Sequence, residues 1–252
     1  MKAMILAAGM GTRLLPLTEH KPKALLEVQG IPLLQHTIRY LIYHGVSDIV
    51  INIHHHAGQI IDFIKRHHSF GIRIEFSDET DELLDTGGGL YKARRFFNDK
   101  PFFLTASDVI TDLDLKAMYL KHMEYKPLVT LAVKQRSSSR EFLFDKAYRL
   151  CGWQNNTTGE LRKVREVSDP LKIAFSTVHL IEPRIFDLIT ERGCFSLVDV
   201  YLRLAAEHII MGFEHNHSQW FEFGRIENLD RLNSTPEIQS IYSLFQSSAE
   251  KI

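Results

Sequence analysis

The residues best suited to chemistry lie near the N-terminus. Met4-Ile5-Leu6 has the pattern of a buried strand, and Ala7-Ala8-Gly9-Met10-Gly11-Thr12-Arg13 follows at once. Pro16-Leu17-Thr18 and Lys21-Pro22-Lys23 come next. Small residues let the backbone approach an anion closely, so its N–H groups can point inward as a nest. Arg13 and Lys23 add the charge that bare backbone lacks. Two familiar phosphate loops are excluded. The P-loop requires a Lys-Ser/Thr pair after its last glycine, and the dinucleotide fingerprint requires a third glycine where Leu14 stands. Pro16 and Pro22 forbid an immediate long helix, so the loop is expected to be extended.

Other candidates are weighed against plainer roles. Asp108 follows an apolar strand pattern, and a carboxylate at a strand's C-terminal end suits Mg²⁺, which takes one or two protein carboxylates and keeps waters. A turn-capping role is the alternative. Asp112 and Asp114 form a D-x-D ahead of a helical pattern, where capping and dipole effects explain them better than a metal. His54-His55-His56 follows a strand, where neighbours point to opposite sides, so a polar loop is expected rather than an ion site. His67-His68 stands at a helix end. His215 and His217 could share a strand face, without an evident third ligand.

The elements that must position these residues alternate between strand and helix. Strand patterns cover 2–7, 48–53, 72–76, 101–106, 128–134 and 173–181, with a short one at 220–223. Helical patterns begin at Pro32 and end at Gly45, then recur over 58–68, 87–97, 115–124, 183–190, 197–207 and 236–246. This order implies right-handed crossovers and an α/β fold, a Rossmann-like, mostly parallel sheet flanked by helices. Ligands in such sheets bind beyond the carboxyl ends of the strands, where residues 8–13, 82–89 and 107–108 fall. Residues 137–169 are polar, with short strand-like pieces and turn signals, and read as a small β insertion that walls a substrate site. One domain over 1–252 is expected.

Bulk properties bound the function class. The 252 residues are 44% hydrophobic and 24% charged, with a net charge of −1. There is no bulk electrostatic case for nucleic acid or a membrane surface, so any anion site must be built locally. The apolar stretch at residues 4–8 is too short for a signal core, and no run approaches a membrane span. The two cysteines, Cys151 and Cys194, make neither a disulfide framework nor a zinc spacing. A cytoplasmic, reduced enzyme is the simplest expectation.

The run from Gly9 to Thr18 with Pro22-Lys23 resembles the signature G-x-G-T-R-x-x-P-L-T…P-K of the sugar-1-phosphate nucleotidyltransferases, also called nucleotide-sugar pyrophosphorylases. The resemblance extends over most of the chain. It includes Pro32-Leu33-Leu34, the stretch Gly45 to Asn52, Asp85-Thr86-Gly87-Gly88-Gly89, Phe103-Leu104 leading to Asp108, and Trp220-Phe221-Glu222-Phe223-Gly224. The compact length and the Thr-Gly-Gly-Gly turn look most like bacterial N-acetylmuramate-1-phosphate uridylyltransferases, with mannose-1-phosphate guanylyltransferases close behind.

The resemblance implies a GT-A-like nucleotidyltransferase fold, transfer from a nucleoside triphosphate (UTP or GTP) to a sugar 1-phosphate, and Mg²⁺. It implies no nucleic-acid or membrane partner, and it is compatible with a homo-oligomer. Arg13, Lys23 and Asp108 would be catalytic. Ala7, Ala8, Gly9, Gly11, Thr12, Glu82, Thr86, Gly87 and Gly88 would bind nucleotide; Glu82 would accept from a base N–H or remain a surface carboxylate. Glu166, Lys172 and Thr177 would bind sugar phosphate, with Lys163 and Arg165 as substitutes. Asp108 and Glu222 would hold the metal.

Several positions depart from the family pattern. Glu222 stands for the usual Asp, Ala106-Ser107 for Asn-Gly, Thr177 for Gly or Ala, and Arg225 for Thr. They leave room for a catalytically weak homologue that binds nucleotide sugar as a regulator. A GT-A-type glycosyltransferase is a third reading, against which the Arg13–Lys23 loop argues.

Overall fold

The computed structural model describes residues 1–224 and 226–246. The chain forms two compact units. The first comprises Met1–Asp85, Thr105–Leu113 and the described residues from Ser218 onward; the second comprises Thr86–Leu104 and Asp114–His217.

The first unit is built on a parallel ladder. Strand Lys2–Leu6 pairs with Asp48–Ile53, from Lys2 opposite Asp48 to Leu6 opposite Asn52. Asp48–Ile53 pairs in turn with Arg73–Asp78. Ala3, Met4, Ile5, Ile49 and Ile51 have no exposed surface. These are the near-continuous apolar runs of strands covered on both faces. Helix Leu33–Tyr43 buries Leu33, Leu34, Ile38 and Leu41, and Ala57–Arg66 buries Ile60, Phe63 and Ile64, the spacings of an amphipathic face. Gly45, at φ 81°, supplies the left-handed residue that ends the first of them. Helix Pro236–Gln246 packs its Phe245 ring on Tyr40 and its Tyr242 ring on His36. A two-stranded antiparallel ribbon, Val109–Thr111 with Trp220–Glu222, completes the part of this unit that concerns the site.

The second unit is a mixed sheet with helices. Its long strand Leu171–Ile181 runs antiparallel to both Val129–Lys134 and Arg140–Phe144. Ile210–Glu214 lies parallel to Val129–Lys134. Arg140–Phe144, Leu150–Asn155 and Leu161–Lys163 form an antiparallel meander within residues 137–169. The α/β class read from the sequence is therefore the class observed. The glycine helix begins earlier than its pattern suggests, at Asp85, and passes at Ala93 into a 3-10 turn. The helix expected over 183–190 is the shorter Ile185–Leu188. Strand Ile210–Glu214 stops short of His215 and His217, so they share no strand face. Asp114 caps helix Leu115–Tyr125, accepting from the N–H groups of Lys116 and Ala117 at 2.8 and 3.0 Å. Both cysteines are free thiols. Among the described residues no helix is long and apolar enough to cross a membrane.

Three buried histidines are held neutral by this packing. Burial lowers His36 to about 4 and His179 to about 3. Burial, with Lys134 and Arg136 nearby, lowers His215 to about 4. The unfolded chain takes up these protons near pH 6.5 and the folded chain only near pH 4 or below. Their contribution is therefore intact above pH 6.5 and is lost as pH falls toward 4, at no more than about 1.4 kcal/mol per pH unit per histidine. Thermal melts from pH 8 to 4 should show the decline beginning below 6.5, and His36→Phe should make it shallower.

Candidate functional site

All the charged residues expected at the phosphate end lie in the first unit. Strand Lys2–Leu6 leads into the glycine loop, where Ala7 and Ala8 are buried and Gly9, Met10, Thr12 and Arg13 are exposed. The loop is not the extended segment that its prolines led us to expect. It folds into 3-10 turns at Thr12–Leu14 and Lys23–Leu25, pinned by the buried Leu14, Thr18 and Ala24. The physical reason is Gly11. Its φ of 66° turns the chain, and its carbonyl accepts both the Leu14 N–H at 2.8 Å and the Thr18 hydroxyl at 2.9 Å. A Cβ at Gly11 would stand 2.8 Å from Thr18 Cγ2 and 3.3 Å from Lys23 Cβ, so only glycine fits. A Cβ at Gly9 would meet nothing within 4 Å, so that backbone is open to a ligand.

The turn at Lys23 delivers its ammonium to Asp108, and the two form an ion pair with side chains only 15% and 16% exposed. Asp108 is set beside the loop because the next residue back, Ser107, donates its N–H to the Leu6 carbonyl at 3.0 Å. Glu222 is placed by the ribbon, opposite Val109, and the following Phe223 N–H donates to the Asp108 carbonyl at 3.0 Å. A Cβ built on Gly224 would lie 3.5 Å from Glu222 Oε1 and 3.7 Å from Arg13 Nη2, so carboxylate and guanidinium face the same small space. Two cations and two carboxylates thus converge around the loop. Arg225 lies outside the described residues.

Among the described residues no cluster of three or more His, Cys, Asp or Glu side chains could hold a metal ion. Mg²⁺ does not need one, since it takes one or two carboxylates with waters and phosphate oxygens. Asp108 and Glu222 match that modest donor set. The remaining acidic pair is occupied: Asp114 caps its helix, and Asp112 accepts the Gln219 N–H at 2.6 Å to hold the ribbon's turn.

The expected nucleoside residues divide between the units. Glu82, in the first, is exposed, with its N–H on the Glu79 carbonyl at 3.1 Å. Thr86, Gly87 and Gly88 belong to the second, where their polar groups are engaged. The N–H groups of Gly87 and Gly88 donate to the Phe195 carbonyl at 2.9 and 3.3 Å, and the Thr86 hydroxyl accepts the Leu197 N–H at 3.0 Å. A Cβ at Gly87 would meet the Phe195 ring at 2.4 Å. Here the glycine run serves close packing. The Ala7 N–H is likewise committed, to Asn52 Oδ1 at 2.7 Å. Sequence reasoning missed the bonding of Asn52, whose only signal was a polar residue in an apolar strand, and of Glu79, which follows strand Arg73–Asp78 and carried no signal.

The expected sugar-side residues lie in the second unit. Glu166 pairs with Lys163 at 3.0 Å and is largely exposed, as is Lys172. Arg165 lies 3.6 Å from Asp145 and donates to the Leu150 carbonyl. Thr177 is the unusual one. The pairing of Leu171–Ile181 slips between Phe175 and His179, and inside that bulge Thr177 has φ 58°, costly for a β-branched residue. Its hydroxyl is buried without a hydrogen-bond partner. The preceding Ser176 hydroxyl bonds to His215 Nε2 at 2.8 Å.

Comparisons with known proteins give the family. The family model for nucleotidyl transferases matches residues 2–142. An N-acetylmuramate alpha-1-phosphate uridylyltransferase of Neisseria meningitidis is 31% identical over 232 residues, covering 90% of this chain and 94% of that protein. A mannose-1-phosphate guanyltransferase of Gibberella zeae is 41% identical over 143 residues, covering 54% of this chain but only 39% of that longer protein. Among solved structures, the UDP-glucose pyrophosphorylase of Acinetobacter baumanii superposes with a TM-score of 0.76 at 15% identity, over 92% of this chain and 91% of that one, which speaks for the fold. With the glycine loop, its paired lysine and the matched sequence in agreement, the chain belongs to the nucleotidyl transferase family, alongside the sugar-1-phosphate nucleotidyltransferases.

Proposed function

We propose that the chain transfers a nucleotidyl group from UTP or GTP to a sugar 1-phosphate and releases pyrophosphate. The observation that carries this reading is the Lys23–Asp108 ion pair at the glycine loop, with Arg13 and Glu222 facing the space beside Gly224. A phosphate oxygen of the sugar phosphate attacks the α-phosphorus in line. The bond from the α-phosphorus to the α–β bridging oxygen breaks, and pyrophosphate leaves with the electron pair. The attacking oxygen is already an anion, so the protein need supply neither nucleophile nor base. Its work is positioning and charge neutralisation. Mg²⁺ bound by Asp108 and Glu222 would neutralise phosphate charge.

The chain's own residues supply the rest. The open backbone at Gly9, with Gly11 and Thr12, offers N–H donors to the triphosphate. Arg13 presents a planar fork suited to the β- and γ-phosphates, and so to the leaving group. Lys23 provides a compact charge for the α-phosphate. Glu166, Lys172 and Thr177 stay in this reading as the sugar-phosphate candidates of the second unit. The relatives' names give uridylyl transfer to one and guanylyl transfer to the other, which is why both bases are kept. Free thiols are in keeping with cytoplasmic residence. The strained Thr177 favours one rival, a weakly active homologue that binds nucleotide sugar as a regulator.

The test is pyrophosphate release with Mg²⁺, each nucleoside triphosphate and a panel of sugar 1-phosphates. Release with one pair supports transfer and names both substrates; binding of a nucleotide sugar with no release from any pair supports the regulator. Arg13→Ala and Lys23→Ala should each lower kcat/KM by ~10²–10³-fold, the scale of losing a charge-stabilising donor. Gly11→Ala should raise the KM for nucleotide, because it forces a left-handed residue costing about 1–2 kcal/mol and pushes on Thr18.

A further inference from the structure

Asn52 lies near the end of strand Asp48–Ile53 and is 3% exposed. Its Oδ1 accepts the Ala7 N–H, where the first strand gives way to the glycine loop. Its Nδ2 donates to Glu79 Oε1 at 2.8 Å. Glu79 is wholly buried, and its Oε2 accepts the Leu84 N–H at 3.1 Å. The Glu79 backbone is fastened as well: its N–H donates to the Ile53 carbonyl at 2.8 Å, and its own carbonyl meets His54 Nδ1 at 2.6 Å. The same strand exit grips the far end of the loop. His56 Nε2 meets the Glu19 carbonyl at 3.1 Å, and Gln59 Nε2 donates to the His20 carbonyl at 2.8 Å.

We propose that Asn52 and Glu79 are positioning residues that fix the glycine loop relative to the turn at residues 79–84, so that both ends of the nucleotide meet groups already held in place. The inference rests on the function proposed above. The network has one polarity. Ala7 and Leu84 present N–H groups, which can only donate, so Asn52 must turn its oxygen to Ala7 and its amide nitrogen to the carboxylate. Buried polar chains of this kind are rigid when every member is satisfied and costly when one is not. Packing alone would fill this space with an apolar side chain. A directional chain from loop to turn instead holds two backbone segments in register.

The polarity supplies an isosteric test. Asn52→Asp sets two carboxylates against each other, and Glu79→Gln leaves a donor facing a donor at one of its ends. The double variant N52D/E79Q restores every bond. The new carboxylate at position 52 accepts from the Ala7 N–H and from the new amide at position 79, whose oxygen accepts from the Leu84 N–H. Titration calorimetry with Mg-UTP and Mg-GTP, together with the KM for sugar 1-phosphate, reads the effect. Each single variant should weaken nucleotide binding roughly tenfold and leave the sugar-phosphate KM unchanged, with the double variant returning to within about threefold of the parent. Should one single variant not fold, the other and the double still decide. Single variants that bind nucleotide as tightly as the parent, or a double as weak as the weaker single, would overturn the inference while leaving the proposed function standing. A parent protein that binds neither nucleotide overturns both.

Discussion

The ion pair between Lys23 and Asp108 is the constraint around which the first unit is arranged. Its members are 85 positions apart in sequence and mostly withdrawn from water. Two such charges persist only where the fold fixes both, since either one alone would be a poorly solvated charge. The 3-10 turn Lys23–Leu25, closed by the Leu26 N–H on the Lys23 carbonyl, places Lys23, and the backbone bond from Ser107 to Leu6 places Asp108. The ribbon then brings Glu222 to the same place through the bond from Phe223 to the Asp108 carbonyl. The site is thus assembled by main-chain geometry at strand ends, and the charged side chains are its consequence. An arrangement with matched charges suits an exchange of partners: on the proposed function, a phosphate would be held by the lysine and Mg²⁺ by the carboxylates.

Glycine does three different jobs in this chain. At Gly11 it supplies a left-handed turn in a crowded corner, and at Gly9 it leaves backbone accessible. At Gly87 it lets a helix sit against Phe195, and the N–H groups that a bare motif reading would offer to a base are already used. A run of glycines is therefore a statement about close approach. What approaches, a ligand or another segment, is decided by three-dimensional context.

Much of the fold was legible because its apolar pattern is strong. The run 48–53 reads as a buried strand and is one, and the helical pattern over 58–68 corresponds to helix Ala57–Arg66. Strands Val109–Thr111 and Ile210–Glu214 and helix Ile226–Asn233 were not read. The first has only three residues; the second leans on a neighbour about eighty positions earlier, and the third is mainly polar. The loop's cations and Asp108 were legible from residue type and order, but the pairing of Lys23 with Asp108 was not, because no local pattern encodes a partner so distant. Asn52 and Glu79 escaped for the same reason, 27 positions apart. Thr177 stands out in the sequence as a departure from Gly or Ala, whereas its left-handed backbone is visible only in the bulged strand.

The central claim is that Lys23 and Asp108 act as one unit in nucleotidyl transfer. A double-mutant cycle on kcat/KM for pyrophosphate release, using Lys23→Met, Asp108→Asn and the double variant, measures this directly. If the pair is a unit, the double variant should lose little more than the worse single, leaving a coupling of about tenfold or greater. Losses that simply multiply would contradict the account.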